Sequence, residues 1–360
     1  MRLSVILSIF LLLLLVAGLF VVQSDRAIRP ASPSGAPVKI AAPLGLPPVV
    51  SPADNPPTAD TIALGRKLYY ETALSVDNTV ACASCHHPDH GFSDGRPVST
   101  GVQGKTGTRN SPTVFNSAYF STQFWDGRAP SLEVQAEGPV QNPVEMAHTL
   151  KGVEQRLMKD PEYRHLFKQA FGSDNITYEM VEKSIASFER TVISGNSPFD
   201  RYYYGHDPKA MTPAAIRGFK VFSSADKGNC TACHVIGQDY ALFTDNKFHN
   251  LGVGVLDVEG KEFADLGRYQ VTKNDPDRGA FKTPSLRNVA LTAPYFHDGS
   301  MKTLKDVVDY YIGAGNSNPY LDKQIHTLDF LSGQERADLV AFLESLTGEM
   351  PPDVGPPPAK

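Results

Sequence analysis

Two short clusters of cysteine and histidine are the residues of this chain best suited to chemistry. Cys82-Ala-Ser-Cys-His86 and Cys230-Thr-Ala-Cys-His234 share the spacing Cys-x-x-Cys-His, and together they contain all four cysteines of the chain. Cysteine pairs at this spacing occur in zinc half-sites, redox-active dithiols, disulfides and attachment sites for c-type haem. Because the second cluster repeats the first, one interpretation has to account for both.

Covalent haem accounts for both clusters. Structural zinc needs four ligands at finger spacing, but Cys85 and Cys230 lie 145 positions apart (230 − 85). A disulfide within Cys-x-x-Cys would close a very short, strained loop, and a thioredoxin-like dithiol leaves the following histidine unexplained. In c-type haem the cysteines form thioether links and the adjacent imidazole binds iron. The sequence therefore predicts two haems with His86 and His234 as proximal ligands, attached through Cys82, Cys85, Cys230 and Cys233.

An internal duplication surrounds the two clusters. Residues 111–127 align without a gap with residues 283–299, at a constant offset of 172 (284 − 112). A helix-like segment precedes each cluster, and the second begins with Thr212 as N-cap followed by proline. Helical spacing recurs from Val181 to Val192, and Ser332 opens a capping box. These patterns predict a mainly α fold of two tandem cytochrome c-like domains, each with one covalently bound haem.

The ends of the chain differ from its centre in composition. Residues 3–22 are almost entirely apolar, about the length that spans a bilayer, and no Ala-x-Ala cleavage site follows. We therefore expect residues 1–25 to be an uncleaved membrane anchor rather than a removed signal, residues 26–57 to be a stiff proline-rich tether, and residues 351–360 to be disordered. The two haem domains are expected at 58–207 and 208–350. The net charge of −5, without a run of Lys or Arg, argues against nucleic acid as a partner.

From about residue 58 to residue 347 the sequence resembles the bacterial di-haem cytochrome c peroxidase family, including its methylamine-utilisation (MauG) branch. Besides the two haem motifs, the resemblance depends on residues 109–116 (RNSPTVFN), 124–128 (FWDGR), 135–146 (QAEGPVQNPVEM) and 283–299 (TPSLRNVALTAPYFHDG). It implies a peroxidatic haem in the N-terminal domain and an electron-transfer haem in the C-terminal domain.

The resemblance also implies roles for single residues. Gln135 and Glu145 would lie over the first haem, where the carboxylate moves a proton between the two oxygens of peroxide. The alternative is that Glu145 only caps a helix after Pro143. Trp125 would relay electrons between the haems, the alternative being ordinary core packing. It is the only tryptophan of the chain, and His297 is its counterpart in the repeat.

A calcium site at the domain interface is implied by the resemblance alone. Asn110, Thr292 and Pro294 match the family's ligands, and amide and carbonyl oxygens suit a hard cation.

The chain departs from the family pattern at the first haem. Members that need prior reduction carry a histidine in the loop after the first haem motif, whereas residues 99–104 here contain none. His87 and His90 are too close to the proximal ligand to reach the opposite face. We therefore expect the first haem to have an open coordination position at rest.

The second departure concerns the other haem. The family's usual distal methionine is replaced by Tyr311, in the register set by His297-Asp-Gly299, and a tyrosine oxygen favours the higher oxidation states of iron. The alternative is that Tyr310 and Tyr311 are aromatic residues of a helix face. Five histidines are interpreted as surface or hydrogen-bonded structural residues: His148, His165, His206, His249 and His326.

The resulting hypothesis is a cytochrome-c peroxidase-type oxidoreductase that reduces hydrogen peroxide at the first haem, from the fully ferric state. Electrons would come from a small donor protein, a cytochrome c or a cupredoxin, through the Tyr-ligated second haem. One alternative is a MauG-like oxidase that matures a protein-derived cofactor, with a protein as substrate; another is a non-catalytic di-haem electron-transfer cytochrome. We expect the protein in the periplasm, anchored to the inner membrane.

Overall fold

Helices joined by long loops build the chain in the computed structural model, which describes residues 31–358. The N-terminal half contains α1 (Ala59–Tyr69), α2 (Cys82–Cys85), α3 (Leu132–Gln141), α4 (Leu150–Met158), α5 (Pro161–Phe171), α6 (Tyr178–Glu189) and α7 (Pro198–Tyr203). The C-terminal half contains α8 (Pro213–Ser223), α9 (Tyr269–Thr272), α10 (Leu304–Ile312) and α11 (Gly333–Glu344). Strands β1 (Phe248–Asn250) and β2 (Ala280–Lys282) form a small antiparallel sheet in which His249 lies opposite Phe281.

Two helices begin directly after the capping residues that the sequence predicted. Thr212 caps α8, with Pro213 at the first helical position, and its hydroxyl accepts a hydrogen bond from Ala215 N–H. Ser332 and Glu335 form the reciprocal capping box of α11. These bonds satisfy backbone N–H groups that a helix start leaves without an intrahelical partner.

The two halves repeat one helix crossing. Gly65 of α1 lies so close to α6 that a Cβ atom would overlap the carbonyl of Ser184. Gly218 of α8 has the same relation to the carbonyl of Asp338 in α11. In each half, the helix before the haem motif therefore crosses a later helix of the same half at a glycine, because only glycine permits this backbone approach.

Backbone conformation repeats as well. Asn116 and Asn288, which are 172 positions apart, both adopt the left-handed region with φ of 62° and 60°. Phe124 and Phe296, at the same offset, have φ of 67° and 68°. The prediction of a mainly α fold with two tandem cytochrome c-like domains is confirmed.

The expectation of an extended tether is wrong for the part of the proline-rich segment that the structure describes. From Pro33 onward the chain belongs to one compact unit. Leu46 is buried, Gly45 O accepts a hydrogen bond from Ala241 N–H, and the Asn55 side chain donates to Glu133 at 2.7 Å. A segment of small residues and prolines cannot build a core of its own, but its carbonyl groups and short side chains can cover a core built by other segments.

The expectation of a disordered tail is wrong for residues 351–358. Val354 is buried in the apolar cluster that surrounds α2. Its carbonyl accepts a hydrogen bond from Tyr70 OH at 2.6 Å, and Gly355 O accepts one from Arg66 Nε at 2.7 Å. The C-terminal tail therefore returns to the N-terminal half and covers the region of the first haem motif.

No helix within residues 31–358 is long and apolar enough to span a bilayer. The expected anchor at residues 1–25 lies outside the described residues.

A buried ion pair joins the N-terminal and C-terminal halves. Arg287 and Asp200, both fully buried, form two hydrogen bonds of 2.8 and 2.9 Å. The same guanidinium donates to Ala241 O and to Gly45 O, at 2.6 Å in each case. These four hydrogen bonds supply the partners that a buried charge requires.

Candidate functional site

The two predicted axial histidines have equivalent surroundings. The Nδ1 atom of His86 lies 3.3 Å from Phe92 O, and that of His234 lies 2.9 Å from Phe243 O. Burial lowers the pKa of both imidazoles, which keeps them neutral. Because a carbonyl can only accept, the proton is assigned to Nδ1, and Nε2 is left with the lone pair that binds a metal. Both side chains therefore fit an axial ligand of haem iron.

Three potential metal ligands lie close together in the described chain, but they do not fit a metal ion. The ligand atoms of Cys233, Asp245 and His249 all lie within 4.8 Å of one another. His249 Nδ1 is 2.6 Å from Asp322 and its Nε2 is 3.0 Å from Asp245. Hydrogen bonds to the Cys233 thiol and the two carboxylates raise the pKa of His249 to about 10. An imidazolium that donates from both nitrogens has no lone pair to offer, so Cys233 remains a haem attachment residue.

A cavity of about 280 Å³ lies beside the second haem motif. Cys230, Cys233 and His234 line it together with Tyr311. Much of the remaining wall is apolar: Phe222, Leu286, Val289, Leu304, Val308 and Leu343. An apolar cavity with two thiols and a neutral imidazole on its wall fits a covalently attached haem.

The structure distinguishes the two neighbouring tyrosines of α10. Tyr310 OH donates to Leu251 O at 2.9 Å, so this hydroxyl is bound to the backbone. Tyr311 lines the cavity that His234 also lines. Burial raises the pKa of Tyr311, and a phenolate at this position would need a nearby cation such as iron. Tyr311, rather than Tyr310, therefore shares a cavity wall with His234.

Trp125 also lines the cavity of the second haem motif, although it belongs to the N-terminal half. Its indole N–H donates to Asn110 O at 2.8 Å, and its own carbonyl accepts from Lys282 N–H at 2.8 Å. Trp125 is therefore fixed between a segment of the first half and strand β2 of the second.

Glu145 lies near the first haem motif. The pKa of the Cys85 thiol is raised first by burial and then by the charges of Asp94 and Glu145. Asn142 Nδ2 donates to Glu145 Oε1 at 2.5 Å, and burial raises the pKa of Glu145 although Asn142 and Arg128 oppose the shift. The alternative that Glu145 caps a helix is wrong, because the N-cap of α4 is Thr149.

Gln135 is half-buried in α3, about two turns before Asn142. The segment that carries Glu145 folds back onto this helix, since Met146 N–H donates to Pro139 O at 3.2 Å and His148 N–H donates to Val140 O at 2.8 Å. Gln135 and Glu145 are therefore carried by one connected unit.

The loop without a histidine packs directly on the backbone of Glu145. Val102 N–H donates to Glu145 O at 2.8 Å. A Cβ atom at Gly101 would overlap the carbonyl of Val144 and would lie 2.5 Å from Glu145 O. Lys105 O accepts from Gly101 N–H at 2.7 Å, which closes the loop. The position of Glu145 thus depends on a glycine that sequence motifs did not indicate.

The three residues of the implied calcium site all line the cavity wall: Asn110, Thr292 and Pro294. Asn110 Nδ2 donates to Arg96 O at 2.9 Å, so the amide oxygen is the atom of this side chain that could face a cation. His297 lines the same cavity and stacks on Phe281, with ring centroids 3.5 Å apart.

Three further residues were missed by sequence reasoning: Asn142, Gly101 and Asp265. Asn142 lies within the motif of residues 135–146, three positions before Glu145, and this spacing could have indicated that the amide contacts the carboxylate. Asp265 pairs with Arg109 across 156 positions, and such a contact has no local signature.

A mainly helical chain with two haem attachment motifs, two neutral histidines and an apolar cavity beside the second motif defines a di-haem c-type cytochrome. Comparison with known proteins agrees: residues 59–208 match the family model described as "Di-haem cytochrome c peroxidase", and residues 215–347 match "Cytochrome c". The chain belongs to the di-haem cytochrome c peroxidase/MauG family, and it is a peroxidase-type oxidoreductase with two covalently bound haems c.

Individual relatives include both branches of the family. The methylamine utilization protein MauG of Methylophilus methylotrophus is 40% identical, covering 83% of this chain and 86% of its own. Cytochrome c551 peroxidase of Pseudomonas aeruginosa is 40% identical, covering 80% of this chain and 79% of its own. A solved MauG-like protein associated with microbial copper homeostasis is 34% identical, with a TM-score of 0.78 over 85% of this chain and 95% of that one.

Proposed function

We propose that this peroxidase reduces hydrogen peroxide in its N-terminal half, without needing prior reduction of the protein. One observation carries the proposal: Glu145, a half-buried carboxyl group near the first haem motif, is held at its backbone by a loop that contains no histidine. When bound through Cys82 and Cys85, the haem supplies an iron site that exchanges electrons with peroxide.

The side chains of the N-terminal half would handle the protons. Glu145 takes a proton from one peroxide oxygen and returns it to the other, so that the O–O bond breaks and water leaves. Asn142 orients the carboxylate, and Gln135 offers a hydrogen-bond donor from α3. Each turnover consumes one hydrogen peroxide, two electrons and two protons and yields two waters.

The C-terminal half would deliver the electrons. His234 and Tyr311 face one cavity, and Trp125 reaches the same wall from the N-terminal half. Trp125 therefore supplies a route between the halves for electrons from a small cytochrome c or cupredoxin.

A peroxide-consumption assay on the protein as isolated tests whether an activation step is needed. We expect peroxide consumption with a reduced donor cytochrome to begin without a lag, and one-electron reduction beforehand to change the rate less than twofold, an order-of-magnitude bound on a barrier change of about 0.4 kcal/mol. Resting EPR spectra should show one high-spin and one low-spin ferric signal. Activity that appears only after reduction, or two low-spin signals, would show that the first haem is closed at rest.

Tyr311→Phe should change the low-spin signal and the optical bands of the second haem, because the variant removes the axial oxygen. Tyr310→Phe is the matched control, since the Tyr310 hydroxyl bonds only backbone and amide groups. We expect the control to leave both spectra unchanged. If both variants keep the parent spectra, Tyr311 does not ligate iron.

A second candidate is the oxidation of a protein side chain, which the resemblance to the MauG branch implies. Tyr311 favours it, because an oxygen ligand stabilises the oxidised forms of iron that such a reaction requires. Fast turnover with a reduced cytochrome would favour the peroxidase, and turnover only with a protein substrate would favour this alternative.

We also propose a calcium ion held by Asn110, Thr292 and Pro294, and a periplasmic location with a membrane anchor. The lining of the cavity supports the first and the apolar residues 3–22 support the second. Elemental analysis showing less than one calcium per chain, or cell fractionation that finds the protein in the cytoplasm, would contradict them.

A further inference from the structure

Four charged side chains form a chain of ion pairs beside Trp125. Arg109 binds Asp265 through two hydrogen bonds, of 2.6 and 2.9 Å, and it binds Asp126 through a third of 2.6 Å. Asp126 also accepts from Arg128 at 3.0 Å. We call these four residues the interface ion-pair chain. Three members come from the N-terminal half, and Asp265 comes from the C-terminal half.

The central members of the interface ion-pair chain are buried. The side chains of Arg109, Asp126 and Asp265 are 17%, 5% and 11% exposed. The Asp265 carboxylate is also held by Gly267 N–H at 2.9 Å. Buried, bidentate arginine–carboxylate pairs have a fixed geometry, in contrast to the flexible ion pairs of a protein surface. This arrangement therefore fixes where its members stand.

The residues that the interface ion-pair chain fixes are the immediate neighbours of Trp125. Asp126 follows Trp125 directly, and Arg109 precedes Asn110, whose carbonyl accepts the indole N–H. From the second half, Arg268 adds two hydrogen bonds, to Asp126 O at 2.8 Å and to Gly127 O at 3.0 Å. The main chain that follows Trp125 and the segment whose carbonyl accepts the indole N–H are therefore both held by residues of the loop that carries Asp265.

We propose that Asp265 is a positioning residue for electron transfer between the two haems, acting through Arg109 on Trp125 without touching either haem. The inference rests on the proposed relay through Trp125. With haem bound in both halves, Trp125 would carry one electron at a time from the C-terminal half to the N-terminal half. The indole keeps its proton, because its N–H faces a backbone carbonyl and no base. The loop that carries Asp265, in the C-terminal half, thereby sets the orientation of Trp125 in the N-terminal half.

Asp265→Asn tests this role in the full holoprotein, because asparagine keeps the size of the side chain and removes its charge. Two readouts are needed: inter-haem electron transfer by stopped-flow spectroscopy, and the ultraviolet resonance Raman bands of the indole. Since Trp125 is the only tryptophan, those bands belong to it alone. We expect transfer slower by about tenfold or more, a shifted N–H band, and an initial reaction with peroxide within about twofold of the parent.

Matched variants separate positioning from general damage. Asp275→Asn removes an exposed carboxylate that pairs with Arg278 in the same half, and it should change neither readout. Asp265→Glu restores the charge and should recover part of the transfer rate. Arg109→Lys keeps the positive charge but cannot form the bidentate pair. It should slow inter-haem electron transfer even if Asp265→Asn yields little folded protein.

Trp125→Phe distinguishes the two ways in which the inference can fail. If Trp125→Phe slows transfer but Asp265→Asn and Arg109→Lys leave the rate and the indole bands unchanged, the role of Asp265 is wrong and the relay stands. If Trp125→Phe leaves transfer at the parent rate, the relay itself is wrong and the role of Asp265 is wrong with it.

Discussion

Glu145→Gln should lower kcat/KM for peroxide by about 10²–10⁴-fold, the usual contribution of a positioned proton-transfer group. Glutamine keeps the shape of the side chain and can still hydrogen-bond to Asn142, but it cannot take a proton and return it. Haem content and the resting spectra should stay unchanged, because Glu145 is not expected to ligate iron.

The pH dependence gives an independent check on the same residue. Burial raises the pKa of Glu145, so the ionised form that accepts the first proton is lost, as the pH falls, at a higher pH than for an exposed glutamate. The acid limb of kcat/KM should therefore lie above that of an ordinary carboxyl group and should disappear in Glu145→Gln. Glu259→Gln, in an exposed pair with Lys261, is the control and should keep the parent profile. A variant with the parent rate and the parent acid limb would exclude Glu145 as the proton carrier.

The features that the sequence predicted correctly have local signatures. A haem motif spans five residues, a helix cap spans four, and the duplication keeps one offset without gaps, so each can be recognised without knowing what lies across the fold. The cap of α8 at Thr212 follows from such a short pattern. The register of the repeat also favoured Tyr311 over Tyr310 as the candidate ligand, because neighbouring residues on a helix point about 100° apart; that ligand role stays a prediction.

The features that the sequence did not predict depend on contacts between distant segments. The proline-rich segment was expected to be a tether because composition shows only that it lacks a core of its own. It does not show that Gly45 O would meet Arg287, 242 positions later. The tail was misjudged for the same reason, since Val354 is buried by residues of the N-terminal half. Asp265 belongs to no motif, and its importance comes only from the position of Arg109.

Gly101→Ala should lower kcat/KM for peroxide by about 10²-fold, through the position of Glu145 rather than through its chemistry. The new methyl group would overlap the carbonyl of Val144 and press on Glu145 O, so the loop or the backbone of Glu145 has to move. Displacing a catalytic group by about 1 Å can cost a factor of this size. Because the methyl group is added to a close-packed site, we also expect a loss of about 1–3 kcal/mol in the free energy of unfolding.

Gly107→Ala is the matched control for this prediction. Gly107 follows the same loop, no atom lies within 4 Å of where its Cβ would be, and its backbone does not need glycine. We expect this variant to keep both activity and stability. Val102→Pro removes the N–H that donates to Glu145 O and should reproduce part of the loss, since the extended Gly101 before it tolerates proline. Equal kcat/KM values for Gly101→Ala and Gly107→Ala would mean that this loop does not position Glu145, and that its lack of a histidine is its only contribution to peroxide reduction.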